Sequence, residues 1–190
     1  MAESGLDSLA QTHGIAIDWR AYELLPGGKF PGGPEQAAKF RTMIDAKQND
    51  MFATARERFG LEMRAGAFGV DSRPALEGSK FARLHALEAE YVRACFTAHW
   101  QDGLRLDEPA VLGAIAANVG LDAVRFLAAV QSGAHQAEVQ ADLDEARALG
   151  ISGVPAMIFG ERLLVSGAQP VDVLRRAADQ CIAQGYSSAD

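Results

Sequence analysis

The chain has 190 residues, with 18 Lys and Arg against 25 Asp and Glu, a formal net charge of −7. A hydrophobic share of 48% at this length fits one domain, or one domain carrying an insertion, and argues against a disordered tail protein. The acidic balance argues against a nucleic-acid surface, which needs clustered Lys and Arg to neutralise phosphates. No apolar run approaches the ~20 residues of a membrane span, and Met1–Asp18 show no basic segment followed by an apolar one. The cysteines, Cys95 and Cys181, are too few and too far apart for a disulfide scaffold or a zinc site built on Cys pairs. Such a composition suits the cytoplasm, where stable disulfides are rare.

Leu6, Leu9 and Ala10 predict a short helix stopped by Gly14, because glycine suits the left-handed position after a helix end. Residues 15–24 then alternate. Ile15, Ile17, Trp19 and Ala21 share one face, and Asp18, Arg20 and Tyr22 share the other, which is a strand pattern. Pro26–Pro34 is a Gly/Pro loop. Beyond it, Ala37, Phe40, Ile44, Met51, Ala55 and Phe59 form one apolar helical stripe, ended by Gly60. Leu61–Gly78 reads as loop. Ser79 reads as the cap of a helix reaching about Gln101, with Phe81, Leu84, Leu87, Tyr91, Ala94 and Ala98 inward. Asp107 is placed as the cap of a helix ended by Gly120. Leu121–Val130 and Glu138–Leu149 are two more helices, the second closed by Gly150. Val154–Phe159 and Leu163–Ser166 are short apolar runs joined at Gly160-Glu161, which predicts a β-hairpin with a two-residue turn. Pro170–Gln184 is the last helix. An early strand and a late hairpin share one core only if they share a sheet, so the expected class is α/β, with the intervening helices as an inserted subdomain. The boundaries are then 1–30 and 138–190 for the sheet-bearing domain and 31–137 for the insertion.

Ile151-Ser152-Gly153-Val154-Pro155-Ala156 carries the strongest chemical signal. Proline cannot donate to a ladder, so Pro155 opens a strand or sits on an edge. Only about 5% of X–Pro bonds are cis, so residue types alone leave trans as the default. The wider context is more specific. Gly150–Ala177, GISGVPAMIFGERLLVSGAQPVDVLRRA, resembles the C-terminal part of the DsbA-like branch of the thioredoxin superfamily. Within that branch it resembles the FrnE-like proteins, relatives of the 2-hydroxychromene-2-carboxylate isomerases. HGIAIDWRAYELLP (His13–Pro26) resembles the family's second strand, and DSRPALEGSKFAR (Asp71–Arg83) resembles the entry to the long helix of its inserted subdomain. The resemblance implies a thioredoxin-like fold with an inserted all-helical subdomain and a cis bond at Val154-Pro155. It also implies that Gly153, Val154 and Pro155 hold an extended peptide or a small-molecule thiol or disulfide, glutathione among them, by backbone pairing.

The sequence departs from that family at one place. The family begins with a strand and a Cys-x-x-Cys at the start of its first helix, where the helix dipole favours thiolate. Met1 here falls inside what would be that helix, and Ala2–Leu9 contain no cysteine. The expectation is therefore a thioredoxin-like fold whose first strand is missing from this chain, with no catalytic residue, cofactor or metal ligand assigned. An unpaired sheet edge invites pairing with another chain, here a homodimer. Cys95 and Cys181 read as packed apolar residues. Cys95 and His99, four apart on one helix with His85 near the same stripe, are half a metal site at most. Gly27-Gly28-Lys29-Phe30 lacks the Ser or Thr of a phosphate loop and reads as a linker. Three functions follow. One is a DsbA-type thiol–disulfide oxidoreductase whose redox dithiol is absent from this chain. The second is a glutathione-dependent isomerase or transferase of the 2-hydroxychromene-2-carboxylate isomerase or kappa type. The third is a non-catalytic thioredoxin-like binding module.

Overall fold

A computed structural model describes residues 2–30 and 32–186. Helix α1 (Ala2–His13) ends where Gly14, at a φ of 63°, donates its N–H to the Ala10 carbonyl at 3.1 Å. Residues 15–24 follow with the side-chain alternation of a strand. Ile15, Ile17 and Trp19 are half-buried and Ala21 is buried, while Ala16, Asp18 and Arg20 are exposed. Yet these residues make no backbone–backbone hydrogen bond among the described residues. The expected strand is thus an extended segment without a ladder. Its period-two burial comes from the surfaces it lies on, and two of its backbone groups, the Trp19 carbonyl and the Ala21 N–H, are served by side chains described below.

Helix α2 (Gly33–Phe59) has the expected end, with Gly60 left-handed at φ 63°. Its apolar stripe does not form a core. Ala55 is its only buried residue among those described, and Phe40 and Met43 are exposed. The helix is held near its ends instead. Phe30 stacks on Phe68 at 4.5 Å between ring centroids and meets Phe40 at 5.5 Å. At the other end Met51, Thr54 and Phe59 face Ala168 and Pro170 across a cleft of about 230 Å³.

Helix α3 (Arg73–Arg83) begins well before Ser79, which lies inside it. The Ser79 hydroxyl donates back to the Leu76 carbonyl at 2.8 Å rather than capping. The single helix expected to Gln101 is two, because Ala86 takes a left-handed φ of 57° before α4 (Glu88–Trp100). Leu84, expected inward, is exposed at that break. Helix α5 (Pro109–Asn118) takes Glu108 at its N-cap; Asp107 is instead gripped by the Arg105 guanidinium at 2.5 and 2.9 Å. Helix α6 (Ala123–Ser132) is capped by Asp122, whose carboxylate accepts the Val124 and Arg125 N–H groups at 3.0 Å. Helix α7 (Gln136–Ala148) leads through left-handed Gly150 towards the sheet.

Strands β1 (Ala156–Phe159) and β2 (Leu163–Ser166) pair antiparallel, Met157 opposite Val165 and Phe159 opposite Leu163. Gly160 and Glu161 both have positive φ, 53° and 58°, and Arg162 N–H closes the turn on the Phe159 carbonyl at 3.1 Å. That handedness matches the twist of the strands. Helix α8 (Val171–Ala183) follows, with Pro170 at its N-cap.

The buried apolar residues form two separate clusters. One joins α3 to α6 and centres on Phe81, Tyr91, Leu112, Ile115 and Phe126. The other joins α1, the hairpin and α8 through Leu9, Met157, Phe159, Leu174 and Cys181. Among the described residues no helix is long and apolar enough to cross a membrane.

Candidate functional site

The turn between α7 and β1 is built from both sides. Ile151 N–H donates to the Ala146 carbonyl at 2.9 Å, fastening the turn to the end of α7. Gly167 N–H donates to the Pro155 carbonyl at 2.8 Å, fastening it to the end of β2. Between these anchors the Val154-Pro155 peptide bond is cis. Val154 is 53% exposed, and its backbone N–H and C=O have no hydrogen-bond partner among the described residues. A Cβ built on Gly153 would meet no atom within 4 Å, so open space lies above that residue. Past the turn, Ile158 and Leu164 are cross-strand partners and both are exposed. The middle of the hairpin's outward face is therefore apolar. The three sequence-predicted site residues thus form one short, accessible stretch of backbone flanked by apolar surface.

Neither cysteine reaches that turn. Cys181 is buried in α8, and its thiol lies 3.4 Å from the Phe159 carbonyl. Cys95 is buried in α4, where burial pushes its thiol up to about 12 against a smaller opposing pull from Tyr91. A thiol held neutral in that way is a poor nucleophile. His99 turns Nδ1 towards the Leu104 carbonyl at 3.2 Å, and His85 lies against the Phe81 ring at 4.8 Å between centroids. These groups therefore do not converge. The described residues contain no grouping of His, Cys, Asp and Glu suited to a metal ion.

A set of residues that sequence reasoning passed over positions the turn. Arg73, Lys80 and Arg83 are spaced by seven and three along α3 and share one helical face. That face meets the extended segment. Arg73 grips Glu23 at 2.7 and 3.1 Å, and Arg83 donates to the Trp19 carbonyl and to Asp18. Lys80, buried, reaches Asp142 of α7 at 2.5 Å. Asp142, also buried, accepts the Ala21 N–H at 2.7 Å and Arg20 at 3.3 Å. Burial works against the charge on Asp142, but the Ala21 amide, Lys80 and Arg20 outweigh it and hold its carboxyl below the ordinary aspartate range. Side chains thus tie residues 18–23 in place, meeting the backbone at the Trp19 carbonyl and the Ala21 N–H. They also fix α7, to whose end the turn bearing the candidate site is fastened through Ile151. The spacing of basic residues in DSRPALEGSKFAR was the available signal.

A mostly helical chain with a hairpin entered through a cis-proline turn is a thioredoxin-like arrangement of the DsbA type. The chain matches the model of the DSBA-like thioredoxin domain over residues 1–179 and belongs to that family. Among curated proteins it is similar to the uncharacterized protein YwbO of Bacillus subtilis strain 168, 26% identical over 168 residues, covering 86% of this chain and 80% of that one. Among solved structures it is similar to a probable DsbA oxidoreductase from Streptomyces coelicolor, with a TM-score of 0.77 and 25% identity over 99% of this chain and 83% of that one. It is also similar in fold to a 2-hydroxychromene-2-carboxylate isomerase, with a TM-score of 0.79 and 22% identity over 100% of this chain and 92% of that one.

Proposed function

We propose that the chain binds an extended thiol- or disulfide-bearing peptide on the cis-proline turn and does not itself turn over disulfides. The observation that carries this reading is Val154, exposed, with both backbone polar groups unpartnered among the described residues beside the cis bond. An extended ligand pairs with such a backbone as an added strand pairs with a sheet edge, and Gly153 leaves it room. Pro155 contributes no N–H and presents a fixed ring face to the ligand. Ile158 and Leu164 offer apolar contact further along. The burial of both cysteines, in α4 and α8, supports the reading without turnover. The two apolar clusters support a division into a sheet-bearing part, residues 1–30 and 138–190, and a helical part, residues 31–137. The edge of β1 away from β2, unpaired among the described residues, supports pairing with a second copy as an alternative occupant. Composition favours a cytoplasmic setting.

Glutathione is the second reading, on the same exposed Val154 backbone. A tripeptide thiol can use the same Val154 groups. The test is an NMR titration of the full chain with glutathione and with an extended cysteine-containing peptide, followed by an insulin-reduction assay. Shifts confined to Gly153–Ala156 and Gly167, with no reduction of insulin, are the expected result. Binding that leaves those amides unmoved, or robust reduction lost on Cys95→Ala or Cys181→Ala, refutes the proposal.

A further inference from the structure

The same face of α3 carries a second buried ionisable residue besides Lys80. Glu77 is 3% exposed and lies one turn after Arg73 and one before Lys80. Both of those cations are already matched: Arg73 to the Glu23 carboxylate, and Lys80 to the Asp142 carboxylate. Glu77 has no ion pair among the described residues, and its Oε2 has no hydrogen-bond partner there. From α7 it is faced by His135, the buried N-cap residue, whose Nδ1 lies 3.1 Å from Glu138. From α4 and α6 the side chains packed on this part of α3 are Tyr91 and Phe126, and neither carries a charge. Both press on Gly78, where a Cβ would lie 2.7 Å from the Phe126 ring. Glu88 of α4 is occupied by Arg83 at 2.8 Å. Two cations and two carboxylates balance one another, and the remaining carboxyl has no charge partner of its own.

We propose that Glu77 is a proton-operated latch on the α3–α7 seam, closed when neutral and loosened when ionised. Burial raises its carboxyl above the ordinary glutamate range, against weaker pulls from Arg73 and His135. Because the folded pKa is raised, the folded chain holds a proton that the unfolded chain has lost. The latch is closed below the ordinary glutamate pKa and weakens as pH rises towards the folded value. The ionised group, with Oε2 unsolvated, gains by letting water into the seam. The opening is felt at His135 and along α7 to Asp142, and α7 is the helix that carries the cis-proline turn. The latch does not depend on what the turn binds.

Backbone amide exchange of the full chain between pH 4 and 8, corrected for intrinsic rates, tests the latch. In the native chain, protection of residues 135–142 and of Ala21 should fall about tenfold per pKa unit by which Glu77 is raised, while α8 amides stay unchanged. In Glu77→Gln, protection of the same amides should be flat with pH and at least as high. The proposal is overturned if Glu77→Gln keeps the native pH dependence, or if α8 loses protection in parallel with α7. Carbon-detected titration of the Glu77 carboxyl in the native chain reports without a substitution. A midpoint at or below the ordinary glutamate value overturns the proposal as well.

Discussion

Replacing Asp142 with Asn removes one charge from the centre of the seam and keeps the shape. Three groups lose by it. Lys80, as buried as Asp142 itself, loses its partner at 2.5 Å. Ala21 N–H keeps an acceptor at 2.7 Å only if the new amide turns its oxygen that way. Arg20, half exposed, falls back on Asp18 at 2.9 Å and loses little. Breaking one partner of a buried pair costs on the order of 3–5 kcal/mol, mostly as an uncompensated buried charge. The expected loss in urea unfolding at pH 7 lies in that range, a large part of a domain's total of about 5–15 kcal/mol. The double variant Lys80→Met with Asp142→Leu should recover the part due to the unpaired Lys80 charge, less about 1–3 kcal/mol for the Ala21 N–H, which loses its acceptor. The pH dependence follows from the sign of the shift. The Asp142 carboxyl is held low in the folded chain, so its contribution is complete above the ordinary aspartate pKa and disappears as pH falls through the folded value. Asp142→Asn should therefore differ most from the native chain near neutrality and least in acid. A loss below about 1 kcal/mol at pH 7, the level of an exposed pair, would refute the view that side chains hold the extended segment in place of a ladder.

Other expectations follow from packing and backbone geometry. Gly78→Ala should lower the unfolding midpoint by about 1–3 kcal/mol, because its Cβ would lie 2.7 and 2.9 Å from two atoms of the buried Phe126 ring; an unchanged midpoint in urea contradicts it. Ala86→Gly, at a φ of 57°, should raise stability by several tenths of a kcal/mol, since glycine accepts that conformation without the cost of about 1–2 kcal/mol that other residues bear; differential scanning calorimetry reads the sign. Cys95 and Cys181, both buried, should react with a thiol-directed reagent only as the chain opens. Stoichiometric labelling within the mixing time of a native sample at pH 8 rules that out.

The helix ends were legible because glycine marks them for a steric reason. Gly14, Gly60, Gly120 and Gly150 all have positive φ, where other residues pay a penalty. The hairpin was legible because Gly160-Glu161 sits between two short apolar runs. The long stripe on α2 misled, because periodicity reports which side chains share a face and says nothing about whether anything packs on it. The break at Ala86 gave no sign, since alanine is a strong helix former and the surroundings impose its positive φ. Ser79 and Asp107 were read as caps, but each has a nearer partner, the Leu76 carbonyl and Arg105. Of the candidate site, the residue types in Gly153-Val154-Pro155 were visible. The polar clasp behind them was not, because Ala21, Lys80 and Asp142 lie far apart in the chain and only the fold brings them together.

Residues 15–24 connect these two lessons. Their alternation is real, and it is what made the segment read as a strand. But alternation is a property of side chains resting on a surface, and a ladder is a property of backbone atoms that need partners. In this chain Lys80 and Asp142 lock α3 to α7, and Arg73, Arg83 and Asp142 bind Glu23, the Trp19 carbonyl and the Ala21 amide. The segment is consequently tied by charged groups, whose strength depends on pH, rather than by amide–carbonyl pairs, whose strength does not. A ladder would leave the position of α7, and of the turn it carries, indifferent to acid and base. The clasp makes that position titratable from two directions: Asp142 lets go in acid, and Glu77 opposes closure as its proton leaves. The seam is therefore tightest between the two transitions, and the cis-proline turn is best fixed there.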